Sequence, residues 1–288
     1  MARVCILTPD PGDPSFAGRW SEVRDRMAVP LAAEGVQVES RPWTQVGGWT
    51  EFDLVLPLTA WGYHRRHEDW LTATQGWAKS DTPFLNPPSV LAWNSDKQYL
   101  QRLFQQGAPV VPTRFVDKVT QQDLAIVAEK AGTDELIVKP QVSASAYQTI
   151  RVRPGDPLNE APDGPAMIQP FLQKVQTDGE LSLIYIAGEF SHAIRKVPVP
   201  GDFRVQPEWG GHISAYDPEP DVREAADRIL AAVEEPLLYA RVDLVRGKED
   251  RPLLMELELV EPDLYLGFDP TKGAGFAKAV RAAAKQWY

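Results

Sequence analysis

Through its first eighty or so residues the chain alternates short apolar runs with longer amphipathic ones, and this alternation most restricts what it can become. Residues 4–8, 36–40 and 53–58 read as buried strands, and residues 19–34 carry helical periodicity. Strands separated by a helix in this way form βαβ units and demand a mostly parallel sheet. Pro30 falls in the second half of the helical stretch and leaves its end unfixed, because proline removes an amide donor and crowds the preceding turn. Asn86-Pro87-Pro88-Ser89 then punctuates the chain. With 288 residues the chain exceeds the size of a usual single core. The expected class is therefore α/β with α+β lobes: an N-terminal α/β domain at 1–88, a small lobe at 89–166 and a C-terminal lobe at 167–288.

From Val90 the pattern predicts helix, with Lys97 early in the stretch 95–106, then strands at 111–116, 135–140 and 148–152, and a helix at 121–131. Strands follow at 167–172, 181–186 and 190–197, then a helix at 221–234, a strand pair at 240–245 and 253–260, and a last helix at 276–287. Thirty basic against forty acidic residues give a net charge of −10, which repels a nucleic-acid backbone and an anionic membrane surface alike, so neither partner is expected. Cys5 has no second cysteine to pair with and sits in the apolar run Val4-Cys5-Ile6-Leu7. With no export signal and no long apolar segment, the cytoplasm is the expected compartment.

The chemistry concentrates in the C-terminal strand pair. Side chains alternate along a strand, so Glu256 and Glu258 share one face while Met255, Leu257 and Leu259 take the other. A turn centred near Glu249 and Asp250 sets Asp243 almost opposite Glu256. Like charges across a ladder destabilise it unless something neutralises them, and magnesium held by Asp243, Glu256 and Glu258 would do so. A half-solvated hairpin would instead leave these glutamates in water, the ordinary arrangement for such a strand taken alone. The mostly apolar strand and two lysines upstream favour an anionic ligand. Lys139 ends a strand, with Pro140 restricting its backbone, and precedes Val142-Ser143-Ala144-Ser145-Ala146, whose hydroxyls at Ser143 and Ser145 and backbone amides can close over phosphates. Neither Gly-rich phosphate or dinucleotide fingerprint is present. Lys196 and Arg204 bracket a proline-stiffened turn that suits carboxylate or phosphate recognition, although surface ion pairing is as good an account. His64 and His67 read as an exposed helix start in preference to substrate contacts, and Gly210-Gly211-His212 as a substrate loop or a flexible connection.

In order, Asn94-Ser95-Asp96-Lys97, Ile137-Val138-Lys139-Pro140, Ile168-Gln169-Pro170-Phe171-Leu172, Asp178-Gly179-Glu180, Arg195-Lys196, Gly201-Asp202-Phe203-Arg204, Arg241-Val242-Asp243 and Glu256-Leu257-Glu258 resemble the ATP-grasp superfamily, most closely glutathione synthetase and its relatives. The loop at 142–146 together with Glu261-Pro262-Asp263-Leu264-Tyr265-Leu266 is similar to the branch containing the O-ureidoserine cyclo-ligase of cycloserine biosynthesis. The resemblance implies an ATP-grasp architecture with two lobes enclosing ATP, and amide formation from a small-molecule carboxylate and an amine, within one molecule or between two, through an acylphosphate with release of ADP and phosphate. By the same resemblance Lys97 and Lys139 contact ATP phosphates, the backbone around Gln169, Phe171 and Leu172 frames the adenine, and Glu180 holds the ribose. Asp243, Glu256 and Glu258 hold two magnesium ions, with manganese as a substitute, and Lys196 and Arg204 lie near the γ-phosphate and the activated carboxylate. The chain departs from the pattern in a glycine-poor phosphate loop and in Glu258, where relatives often carry Asn. A small-molecule kinase and a non-catalytic ATP sensor are the alternatives, and relatives suggest a homo-oligomer.

Overall fold

The computed structural model describes residues 1–16, 18–144, 146–202, 204–205 and 210–286. It opens with β1 (Ala2–Thr8), α1 (Arg19–Ala33), β2 (Val36–Pro42), β3 (Leu54–Leu56) and α2 (His67–Trp77). β1 lies between β2 and β3 and pairs in parallel with both, the arrangement that the alternating runs predict. Pro30 stays inside the last turn of α1, which ends where the Glu34 amide bonds the Pro30 and Leu31 carbonyls. α2 starts at His67, within the helix start read at His64 and His67, and buries Trp70 and Trp77 against Trp43, Trp49 and Phe84.

α3 (Pro88–Asn94) and α4 (Tyr99–Gln105) divide the helix expected from residue 90 through 106, with the break at 95–98. β4 (Arg114–Val116), α5 (Gln121–Ala131), β5 (Leu136–Pro140), β6 (Ile150–Val152) and β7 (Ala166–Pro170) follow. Their strands make a four-stranded antiparallel sheet in the order β4-β7-β5-β6. α5 begins in a capping box, the Thr120 hydroxyl accepting the Asp123 amide while the Asp123 carboxylate accepts the Thr120 amide, and packs Leu124 and Val127 on this sheet.

The remainder comprises α6 (Lys174–Thr177), β8 (Glu180–Ile186), β9 (Glu189–Val197), β10 (His212–Tyr216), α7 (Pro220–Ala231), β11 (Tyr239–Arg246), β12 (Pro252–Glu258) and α8 (Ala274–Lys285). The strands form a five-stranded antiparallel sheet ordered β10-β9-β8-β11-β12. Strand alternation sorts its side chains. Leu181, Leu183, Ala240, Val242 and Leu244 face a core shared with α4 and α7, and the opposite face presents Glu180, Ser182, Lys196, Arg241 and Asp243. Farther along that second face Ile184 and Ile186 join Val4 and Ile6 of β1 and Phe276 and Val280 of α8 in one apolar cluster, so the first and last sheets share a core. Asn86, fully buried, fastens them: its amide donates to the Tyr239 and Leu259 carbonyls at 3.0 and 2.8 Å, and its carbonyl oxygen accepts the Leu238 amide at 2.8 Å.

Candidate active site

Between the two antiparallel sheets, and open to the turn that precedes α2, lies a cavity of about 600 Å³. Lys97, Lys139, Ser143, Gln169, Phe171, Leu172, Glu180, Lys196, Arg204, Asp243, Glu256 and Glu258 all line it, although the chain between the first and last of them spans most of two lobes. Ser145, the remaining residue singled out from sequence, lies outside the described residues, as does Phe203.

Strand register does the central work. Asp243 is paired directly with Glu256, and Arg241 with Glu258. The ladder then slips, so that Leu244 pairs with Leu254 and Met255 becomes the extra residue of a bulge. This corrects the simple alternation: Leu254 joins Leu257 and Leu259 in the core, while Met255 turns to the cavity side and packs with Phe171 and Val245. Lys97 is likewise not helical, because Asn94 ends α3 by clamping β12, its amide donating to the Leu257 carbonyl and its carbonyl oxygen accepting the Leu259 amide, both at 2.8 Å. Asp96 then accepts the Gln98 amide in a turn, and the Lys97 amide reaches the Gln141 carbonyl. The resulting break aims Lys97 Nζ at Glu256 Oε1, 3.0 Å away, and at the Ser143 carbonyl, 2.7 Å away, holding the small-residue loop over the cavity. The Ser143 hydroxyl itself donates to the Pro140 carbonyl.

The polar centre is a network of buried ion pairs. Asp243 accepts from Ser182 at 2.5 Å and from Arg241 at 3.0 Å, with Lys196 Nζ 3.8 Å away. Lys196 also pairs with Glu180, and Arg241 with Glu258. Burial raises the cost of every charge here, and the balance differs between them. For Asp243 it is outweighed by Arg241 and Lys196, which hold the carboxyl below its usual range, and for Glu256 by Lys97 and Lys139. For Glu258 burial prevails over Arg241 and is reinforced by Glu256 and Asp243, so the carboxyl is pushed up to about 7. Lys139 is pulled down by burial, with Lys97 adding to it. Burial pulls Lys196 down too, but Asp243 and Glu180 prevail and lift it above its ordinary range.

Carboxylate oxygens are the donors that magnesium takes, and Asp243, Glu256 and Glu258 all line the cavity, with Asp243 directly opposite Glu256 in the ladder, so the donor chemistry suits a divalent ion. In the present arrangement the acidic side chains are occupied by Arg241, Lys196 and Lys97, and among the described residues no three His, Cys, Asp or Glu side chains gather into a group that could hold a metal.

One part of the cavity is apolar, lined by Val111, Ile137, Phe171, Val175, Val245 and Met255. Arg151 lies over the Phe171 ring at 4.0 Å, and the Gln169 carboxamide is spent on the Thr113 hydroxyl at 2.9 Å. Arg204 pairs with Asp202 at 2.7 Å while lining the cavity. Arg241 and Glu261, which the sequence placed in motifs without a role of their own, also line it, as do Trp61 and Tyr63. Arg241 had a signal, since it sits two residues before Asp243 and so on the same face. His64 overturns the expectation of an exposed helix start: it belongs to a 3-10 turn over Tyr63–Arg65, lines the cavity half-buried, and is pushed down to about 4 by burial with Arg65 and Lys97 adding to it. His67 opens α2 and meets the Ser95 hydroxyl at 2.8 Å. Gly210, Gly211 and His212 do not line this cavity, and His212 begins β10.

A family model for the N-terminal domain of D-cycloserine synthetase DcsG matches residues 4–86. The cycloserine biosynthesis protein DcsG of Streptomyces lavendulae is 28% identical over 275 residues, covering 87% of this chain and 90% of that protein. Glutathione synthetase of Prochlorococcus marinus is 28% identical over 276 residues, covering 88% and 82%. In three dimensions the crystal structure of D-cycloserine synthetase DcsG aligns at a TM-score of 0.83 with 24% identity over 100% of both chains, and the ATP-grasp ligase PsnB at 0.66 with 16% identity over 99% of each. The chain has the ATP-grasp fold. D-alanine–D-alanine ligase from Bacillus anthracis shares this fold at a TM-score of 0.72, with 14% identity over 99% of this chain and 98% of that one. The sequence is thus similar to DcsG and glutathione synthetase, and the shape to ATP-grasp ligases. Among the described residues no helix is long and apolar enough to cross a membrane.

Proposed function

We propose that this ATP-grasp protein is an ATP-dependent ligase that joins a small-molecule carboxylate to an amine through an acylphosphate. The observation that carries the proposal is a single cavity in which Lys97 and Lys139 face Asp243, Glu256 and Glu258 beside an apolar slot between two sheets. A purine fits the slot bounded by Ile137, Phe171 and Met255, which leaves the phosphates among the lysines and under the loop that Lys97 holds. Solved relatives of this fold include a D-alanine–D-alanine ligase complexed with ATP and PsnB complexed with Mg and ADP.

In this reading Asp243, Glu256 and Glu258 would hold magnesium, which would neutralise phosphate charge, and Lys97 and Lys139, the cations that act on Glu256, would be available to phosphate oxygens. Lys196 and Arg204 orient the acceptor carboxylate, whose oxygen attacks the γ-phosphorus in line with the departing ADP. The amine then attacks the acyl carbon, phosphate departs, and an amide remains. No protein nucleophile takes part, so catalysis rests on positioning and on excluding water from the acylphosphate. Ser143, Ala144 and Ala146 line that space. When one molecule carries both groups, the same residues close a ring, and ADP appears with a single substrate present.

The test is ADP release against a panel of carboxylates and amines, alone and in pairs, with Asp243→Asn as control. A ligase gives ADP and phosphate only when both functional groups are supplied, and the variant loses at least about a hundredfold in rate, on the order of 3 kcal/mol in the barrier. ADP release that needs no amine, or full turnover by Asp243→Asn, defeats the assignment.

A further inference from the structure

Past β12 the chain returns to the cavity at Tyr265, in a conformation that a tyrosine adopts only under constraint. Its φ is 46°, in the left-handed region where a bulky side chain crowds its own backbone. Four hydrogen bonds impose that conformation. The Tyr265 amide donates to Asp263 Oδ1 at 2.8 Å, and its carbonyl accepts the Phe268 amide at 2.8 Å. His192 Nε2 donates to the Leu264 carbonyl at 3.0 Å, and Arg241 Nη1 to the Asp263 carbonyl at 3.3 Å. On either side, Leu264 and Leu266 are buried in the core shared by the first and last sheets. A segment that had only to bury those two leucines would be served better by glycine at 265, which takes a positive φ without crowding. Strain that the surroundings over-determine directs attention to what the side chain does.

The ring meets a pair of buried cations. Lys196 Nζ lies 6.0 Å from its centroid and Arg241 Cζ 5.6 Å, and both cations also lie against one carboxylate, Asp243, at 3.8 and 3.0 Å. Two like charges drawn to one carboxylate repel each other. The negative face of an aromatic ring attracts both without adding a charge of its own. Asp243 and Glu258, the acidic partners of Arg241, are also groups that would hold magnesium in the ligase reading. A ring contact is one that metal binding cannot take from the cations. We propose that Tyr265 is a positioning residue, whose ring, pinned by the strained turn at 263–268, holds Lys196 and Arg241 in place in the cavity. The ring suffices for this, so phenylalanine serves as well. That Lys196, so held, orients an acceptor carboxylate rests on the ligase reading; the hold on the two cations does not.

NMR of the full chain with 15N-labelled arginine, without metal or nucleotide, reads the hold through exchange of the Arg241 Nε–H with water, since that group donates to Asp243. Tyr265→Phe should exchange as the wild type does. Tyr265→Leu should exchange at least about fivefold faster, the equivalent of about 1 kcal/mol for the lost ring contact. The backbone amides of Val242 and Leu244, fully buried in the middle of β11, report opening of the sheet as a whole and should keep their wild-type rates in both variants. A role confined to packing would speed Arg241 and those amides by the same factor, and that result overturns the proposal. So does equal exchange in wild type and Tyr265→Leu, or loss of protection in Tyr265→Phe, the variant that keeps the ring and its packing. If Arg241 behaves as expected while no carboxylate and amine pair releases ADP, the hold on the cations stands and the ligase reading falls.

Discussion

Replacing Glu258 by Gln isolates the charge excess of the cavity. Its carboxyl, 27% exposed, is pushed from 4.5 up to about 7 by burial, with Glu256 and Asp243 reinforcing the effect against Arg241. That rise corresponds to about 3 kcal/mol between protonation states, an upper figure because the neighbouring carboxylates relax when it ionises. A carboxyl raised in the folded state binds its proton more tightly there than in the unfolded chain. Its stabilising contribution is complete below about 4.5 and is lost as pH climbs through about 7. Metal-free wild-type protein should therefore lose stability across that window, while Glu258→Gln lacks this part of the slope and keeps Arg241 paired to Asp243. Glu261 is also raised, by burial and then by Glu258 and Glu256, so part of its own slope falls away in the variant as well and widens the difference in the same direction. Melting temperatures in EDTA, measured from pH 4.5 to 8, should separate progressively in favour of the variant, by on the order of 5 °C at the alkaline end. Adding magnesium at pH 8 should close the gap by stabilising the wild type more. Parallel melting curves across the window would refute the claim that Glu258 carries uncompensated charge.

Lys97→Met removes the cation 3.0 Å from Glu256 and the bond to the Ser143 carbonyl. It should weaken ATP binding at least about tenfold in calorimetry and speed proteolysis within residues 142–146, since a buried carboxylate and the loop both lose their partner; unchanged cleavage would show that Lys97 does not hold the loop. Asn86→Ala strands buried backbone groups at Leu238, Tyr239 and Leu259. A loss of about 3–5 kcal/mol in urea unfolding is expected, and a loss under about 1 kcal/mol would mean that the first and last sheets are joined by apolar packing alone.

Much of this site was legible along the chain because strand geometry repeats every two residues. That period alone puts Glu256 and Glu258 on one face, and a short turn after β11 brings Asp243 opposite Glu256, where the ladder has it. The parallel order of β1, β2 and β3 follows from the same local periodicities. What the period could not show is where it is interrupted. Met255 turns toward the cavity because the ladder slips by one residue, and Lys97 leaves its helix because Asn94 bonds to Leu257, 163 positions away. His64 faces inward because the aromatic core around Trp70 fixes the turn that carries it. The pairing of Arg241 with both Asp243 and Glu258, and of Lys97 with Glu256, likewise depends on which side chains share a buried space. Local sequence decides which way a side chain points along its own strand. Only the packed chain decides which charge it meets there, because burial makes each ionised group depend on partners brought together from distant segments.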